Sequence, residues 1–399
     1  MTDLDPILPL WRDLRDSGTE YVLGTVVMVD GSGYRKPGAR ILIGADGRRA
    51  GTISGGCLEG EVARKAFWHT ENGPVVRSYS TSAELGMPDN EIPFGMGCGG
   101  VVHLLLERCA TADAALARLA ASFDARQPTA IATILEGEFV GKRAFWPPED
   151  LNPLQSLRGQ AVDAGANLEQ DLEQSLAGLA RRGFEEQSSF SESIRGLDGR
   201  MTAVRVEWNA ARPGLFVFGA GDDAIPLVRL ARQMGWYVAI ADGRSNLATK
   251  ARFPEAHDVE ATFKGRPIAL DARPTDAAVV MTHSLEQDTR FLRVLLPRFA
   301  AGQFCYVGVL GPRRRTREIL ISLATDLGLG DSIAERQAEI WMEGIHSPLG
   351  LDLGGDTPAD VALSAMAEIQ QRRHGASGLS LREIRGVKDL RQTLTSSVG

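Results

Sequence analysis

The run Leu215-Phe216-Val217-Phe218, followed by Gly219-Ala220-Gly221-Asp222-Asp223-Ala224, constrains the fold more than any other stretch of the chain. Four consecutive apolar residues read as a strand buried on both faces, as in a parallel sheet covered by helices. At the turn into the next helix Gly219 permits the tight bend, Gly221 allows close approach of a phosphate, and Ala224 takes the small packing position. Asp242 closes the next apolar run, where such folds hold ribose hydroxyls with an acid. Asp222 and Asp223 set two carboxylates at the helix N-terminus, where they suit the dipole and repel a pyrophosphate. A working NAD site and a nucleotide-type fold without one therefore stand as two readings of this loop.

From Pro213 onward the rhythm is regular. A helix over 224–234, strands near 237–241, 277–281 and 306–309, and helices between them predict a parallel sheet with right-handed crossovers. Thr357-Pro358 with Asp360 marks the start of a last helix. The first part reads as mixed α/β. Helices are predicted over 7–15, 58–69 and 111–123, and strands over 21–29, 75–79, 101–106, 129–135 and 202–208, with a hairpin (39–43 and 49–53) turning at Asp46-Gly47. Between 147 and 200 the chain is polar with helical spacing and a weak apolar face, expected to be an exposed elaboration of the first domain that faces a partner. The expected architecture is an N-terminal mixed α/β domain over 1–209, a Rossmann-type domain over 213–375 and a polar tail over 376–399.

Bulk properties narrow the function. A chain of 399 residues suits two domains, and 43% hydrophobic with 24% charged residues is the composition of a folded globular protein. A net charge of −7 gives no footprint for nucleic acid or an anionic membrane. No apolar run is long enough to span a bilayer, and the first ten residues lack the charge and apolar core of a signal peptide. Cys57, Cys98, Cys109 and Cys305 are scattered, without disulfide or zinc-finger spacing, so a cytoplasmic location is expected.

In the first domain Gly31-Ser32, Arg35-Lys36-Pro37-Gly38-Ala39, the run Gly51 to Glu61 (GTISGGCLEGE) and Cys98-Gly99-Gly100 occur in order. In the second come Val217 to Gly221, Asp242-Gly243-Arg244, Thr282-His283, Tyr306 to Arg315 (YVGVLGPRRR) and Ile345 to Leu353 (IHSPLGLDL). Together these resemble the xanthine dehydrogenase accessory factor (XdhC/CoxI) family; the 147–200 stretch lies outside the resemblance. Members more often carry a histidine after the second glycine of the loop, where this chain has Asp222. The resemblance implies a CoxI-like first domain and a chaperone that binds the molybdenum cofactor (molybdopterin). It implies protection of that cofactor during sulfuration by a cysteine desulfurase and its insertion into a xanthine dehydrogenase-type molybdenum hydroxylase. A homodimer is also expected.

The chemical candidates each have a plain alternative. Cys57, after Gly55 and Gly56 at a helix start, is either a small residue packed in a glycine turn or a thiolate favoured by backbone N–H groups and able to contact molybdenum. Glu59 and Glu61 oppose that thiolate. Cys98 begins a strand among glycines that suit a ligand or a bulge; Cys109 and Cys305 read as packing. Arg35 and Lys36 are loop charges. Arg313, Arg314 and Arg315 follow Gly311-Pro312 at a strand-to-helix turn and suit a pterin phosphate, or form a solvated helix start. His283 and His346 both belong near the carboxyl edge, converging beside Asp242; His69, His103, His257 and His374 have no such context. Cofactor binding and insertion is the leading reading and needs no catalysis. The rival is an NAD(P)-dependent oxidoreductase with His283 or His346 as acid/base. A metal-dependent enzyme built on Asp222, Asp223 and a histidine lacks a complete ligand set.

Overall fold

The computed structural model describes residues 4–31, 34–56, 58–80, 100–147, 168–196, 199–262 and 270–384. The chain divides into two units, Met1–Arg212 and Pro213–Gly399.

In the first unit, β1 (Tyr21–Asp30) lies between β2 (Arg40–Gly44) and β5 (Val101–Arg108), with β3 (Arg49–Gly51) and β4 (Val75–Ser80) at the edges; all neighbours are antiparallel. Side chains alternate across this sheet because successive residues of a strand face opposite ways. Tyr21, Leu23 and Leu42 therefore pack on α1 (Leu4–Asp16) and α3 (Cys109–Asp124). Val22, Val26, Ile41 and Leu104 pack on α2 (Glu59–His69) on the other face. On this second face Gly24 leaves room for Ile41 and Leu106, whose methyls would come within 3.0 and 3.3 Å of a Cβ there. The β2–β3 turn closes at Asp46-Gly47 as expected, with Gly47 at φ +87° and the Arg48 N–H donating to Asp46 Oδ1 at 2.9 Å.

A second antiparallel sheet has the order β7-β6-β9-β8: β7 is Arg143–Trp146, β6 Thr129–Ile134, β9 Met201–Asn209 and β8 Phe190–Arg195. Here the sequence reading is corrected. The later part of the 147–200 stretch forms α4 (Leu168–Glu185) and β8, and α4 is not an exposed elaboration. Its polar composition hides Leu172, Leu176, Leu179 and Ala180, spaced to share one helical face, and all four are buried against Ala132, Ile134, Val204 and Val206 of the sheet. Residues 148–167 lie outside the described residues.

The second unit is a five-stranded parallel sheet in the order β12-β11-β10-β13-β14: β10 (Gly214–Phe218), β11 (Tyr237–Asp242), β12 (Asp258–Ala261), β13 (Ala277–Val280) and β14 (Tyr306–Val309). Short, half-exposed β12 is an addition to the expected strands. The apolar run of β10 divides as a doubly covered strand must: Leu215 and Val217 join α5 (Ala224–Gln233) and α9 (Pro358–His374). Phe216 and Phe218 join α6 (Leu285–Ala300), α7 (Arg313–Asp326) and α8 (Asp331–Gly344). Burying each such side chain contributes about 1.5–3 kcal/mol. Thr357 caps α9 in a reciprocal box with Asp360, and Gly375 ends it in the left-handed conformation. This is the Rossmann-type architecture expected of residues 213–375. Connections leave β10 toward β11 on one side and reach β13 on the other, so the strand order reverses between β10 and β13, where ligands of such folds bind at the carboxyl edge.

Candidate functional site

In the first unit the loop before α2 is built around one carboxylate. Glu59 Oε1 accepts from Thr52 Oγ1 (2.6 Å) and the N–H groups of Ile53 (3.0 Å) and Ser54 (2.9 Å); Oε2 accepts from Ser54 Oγ (2.6 Å) and the Gly56 N–H (2.9 Å). Burial alone would raise its pKa, but the hydroxyls of Ser54 and Thr52 and the backbone donors outweigh that and hold it at about 2. Gly55 and Gly56 adopt φ of +83° and +120°. A Cβ on Gly55 would strike the Tyr34 ring at 2.9 Å, whereas no described residue lies within 4 Å of one on Gly56. The loop is thus pinned from Glu59 and, among the described residues, open beside Gly56. Cys57, the next residue in the chain, lies outside the described residues, as does Cys98. Glu59 entered the sequence reading only as a charge opposing the thiolate. Its signal was the order Thr52, Ser54, Gly56, Glu59, in which an acid at the first turn of a helix follows hydroxyls and glycines.

In the second unit the carboxyl edge assembles most of the expected residues in altered roles. Gly219, at φ +129°, is required by packing: a Cβ would meet the Met281 carbonyl oxygen at 2.4 Å. Gly221 borders Asp223, whose Oδ1 would lie 2.6 Å from a Cβ there. Asp242 is fully buried and turned inward. Its Oδ2 accepts from the Ala220 N–H and Arg244 Nη2, both at 2.7 Å, and its Oδ1 from Arg244 N–H and Nε at 2.8 and 3.0 Å. Burial works to raise its pKa, but these bonds lower it overall. Instead of facing a ribose, the acid ties the glycine loop to the end of β11.

The two loop aspartates are paired as well. Asp222 meets Arg252 at 2.7 Å, and Asp223 Oδ2 meets His283 Nε2 at 2.7 Å, leaving Asp223 Oδ1 buried without a partner among the described residues. His283 reaches across the β10–β13 reversal in a left-handed conformation, φ +58°, with its side chain 62% exposed. Left-handed non-glycine residues concentrate at turns and functional sites. Arg244 Nη2 also donates to the Thr282 carbonyl at 3.3 Å, which joins this group to the Asp242 network.

His346 does not converge with them. It extends the sheet beyond β14, bridging to Gly308, so four strand spacings, about 19 Å, separate it from β11. There it stacks on Tyr306 and shares Glu368 with the Tyr306 hydroxyl and the Gly350 N–H. The chain's return path, which local sequence does not encode, decides this. The arginines separate too. Arg315 pairs at 2.6 Å with fully buried Asp288, which also accepts from Thr282 Oγ1. Arg314 is 91% exposed beside Glu318, and Arg313 is exposed without an ion-pair partner among the described residues. Lys36 is exposed and Arg35 half-buried. Cys109 opens α3, and burial pushes the Cys305 thiol up to about 11. His103, given no context by sequence, bridges Ser78 Oγ (2.8 Å) and Asp30 Oδ2 (2.9 Å) across three strands. Among the described residues no helix is long and apolar enough to cross a membrane, and no group of three or more His, Cys, Asp or Glu is placed to hold a metal ion.

With this geometry in hand, comparisons with known proteins are specific. Residues 215–369 match the XdhC Rossmann domain, and residues 14–80, which include the Glu59 loop, match the XdhC and CoxI family. Over 370 residues the chain is 27% identical to a Bacillus subtilis protein described as a probable xanthine dehydrogenase subunit, covering 90% of this chain and 95% of that one. It is 25% identical over 182 residues to the uncharacterized protein YqeB of Escherichia coli, 45% of this chain and 31% of the other. A crystal structure of a xanthine dehydrogenase from Bacillus halodurans, 27% identical, superposes with a TM-score of 0.65 over 96% of this chain and 99% of that one.

Proposed function

Because the chain belongs to the XdhC and CoxI family, we propose that it binds the molybdenum cofactor and delivers it to a xanthine dehydrogenase-type molybdenum hydroxylase, with a cysteine desulfurase as a second partner. The observation that carries this reading is the Glu59-pinned loop. Five donors converge on one carboxylate to shape Thr52–Gly56, an investment in backbone geometry that, among the described residues, leaves the side beside Gly56 open. When bound, the cofactor supplies a soft metal centre and a terminal phosphate. Cys57 is the proposed sulfur contact, since thiolates suit soft metals. The relatives named for xanthine dehydrogenase support the choice of client. A ribose-holding role for Asp242 gains no support, because Ala220 and Arg244 already engage its carboxylate, and this disfavours the nicotinamide reading.

The test is purification from a molybdenum-replete host, with metal and pterin measured on the same sample. The expected result is molybdenum and pterin in equal amounts on the wild type, and at least a several-fold loss of both on Cys57→Ser. The variant should keep the wild-type circular dichroism spectrum. Alkylation gives a second readout: bound cofactor should slow reaction at Cys57 and leave Cys305, whose thiol burial keeps protonated, unchanged. Wild-type protein without molybdenum, or equal loading of the Ser variant, counts against the proposal.

A further inference from the structure

Charged side chains gather between the two sheets of the first unit, where apolar contacts would be the default. Arg40 of β2 pairs with Glu207 of β9 at 2.6 Å, and Arg143 of β7 with Glu107 of β5 at 2.6 Å; the side chains of the second pair are 6% and 1% exposed. Arg205 of β9 faces the same cavity, which has a volume of about 30 Å³, and has no carboxylate within ion-pair distance among the described residues. Three guanidiniums therefore face two carboxylates.

The hydrogen bonding is incomplete in the same place. Among the described residues the Nε atoms of Arg143 and Arg205 are buried without a partner, and the bond found for Arg205 is a long one, Nη1 to Ser191 Oγ at 3.4 Å. Burial lowers the Arg205 pKa, with Glu207 the only group offsetting it, and burial raises that of Glu107 despite Arg143. Burial is the largest cause of both shifts. Water would satisfy the two orphaned donors but not the charge of half-buried Arg205, and desolvating a guanidinium without a counter-charge is costly. Room of this size admits one or two waters or one small ion.

We infer that the cavity between the two sheets of the first unit binds one chloride-sized monovalent anion, held by Arg205 and Arg143. A ligand that binds only the folded state raises stability with the logarithm of its concentration once above its dissociation constant. Thermal unfolding of the full chain is therefore measured in sodium chloride and in sodium gluconate at equal ionic strength. The expected result is a higher Tm in chloride, rising linearly with log concentration. Arg205→Met keeps the apolar stem without the charge and should lose the chloride increment; Arg205→Lys should keep part of it. Crystals grown in bromide should give an anomalous peak in the cavity. Equal Tm in the two salts without a bromide peak would mean that the cavity holds water only and would overturn the inference. So would a chloride increment that survives Arg205→Met, since the ion would then act elsewhere. Should neither variant fold, the salt comparison and the bromide peak on wild-type protein decide the matter.

Discussion

Glu59 shows how one side chain can carry a functional loop. Its pKa stands at about 2 in the folded chain against an ordinary 4.5. A depressed carboxyl contributes stability that is complete above the unfolded value and lost as pH falls from about 4.5 toward 2. Glu59→Gln keeps the size but points an NH₂ group at donors that need an acceptor. The expected cost at neutral pH is about 2–3 kcal/mol, together with a flatter loss of stability over that acid range. Urea titrations at pH 7, 4 and 3 measure both; a variant that tracks the wild type throughout would show the five bonds to be incidental. At this scale sequence was informative about position and not about orientation. Asp242 stands at the end of β11, where it was expected, yet Arg244 two residues on and the Ala220 N–H claim its carboxylate. The pairing of Asp223 with His283 depends on the spatial meeting of loops after β10 and β13, which no spacing along the chain announces.

Elements were legible where periodicity was long. The β10 run, the Gly219–Gly221 turn and the Thr357 capping box all fold as their patterns require, because each rests on local stereochemistry. Four-residue edge strands such as β7 and β12 offer too few positions for an alternation to register. Helix α4 failed for another reason: its charged residues dominate composition, while Leu172, Leu176 and Leu179 alone decide which face is buried. That correction has a direct consequence. Leu176 is 1% exposed against the second sheet, so Leu176→Ala should destabilise the first unit by about 2–5 kcal/mol through lost transfer energy and a residual cavity. Were α4 a loosely attached surface helix, the change would cost under about 1 kcal/mol. Chemical denaturation of the two proteins distinguishes the cases.

At the scale of the whole molecule, the division at Arg212-Pro213 separates complete sets of apolar side chains. Both cores of the second unit draw only on residues after Pro213: β10 feeds one with Leu215 and Val217 and the other with Phe216 and Phe218, and helices of the same unit close each face. The family match to the Rossmann domain begins and ends inside that segment. A unit with its own closed cores and the size of an ordinary domain should fold alone. Residues 213–399, expressed without the first unit, are expected to unfold in urea as one cooperative transition. Trp236 reports on that transition because the fold buries it completely, at 0% accessibility in the α5–α9 core. With Trp341 replaced by Phe, its emission should start short in wavelength and shift red across the same midpoint as the far-ultraviolet circular dichroism. The contrary outcome is a fragment that binds hydrophobic dye, keeps helical signal and shows Trp236 already wet, the marks of a core without fixed packing. That would mean the sheet is specified by the full chain and that apolar patterning within the segment, however regular, does not suffice.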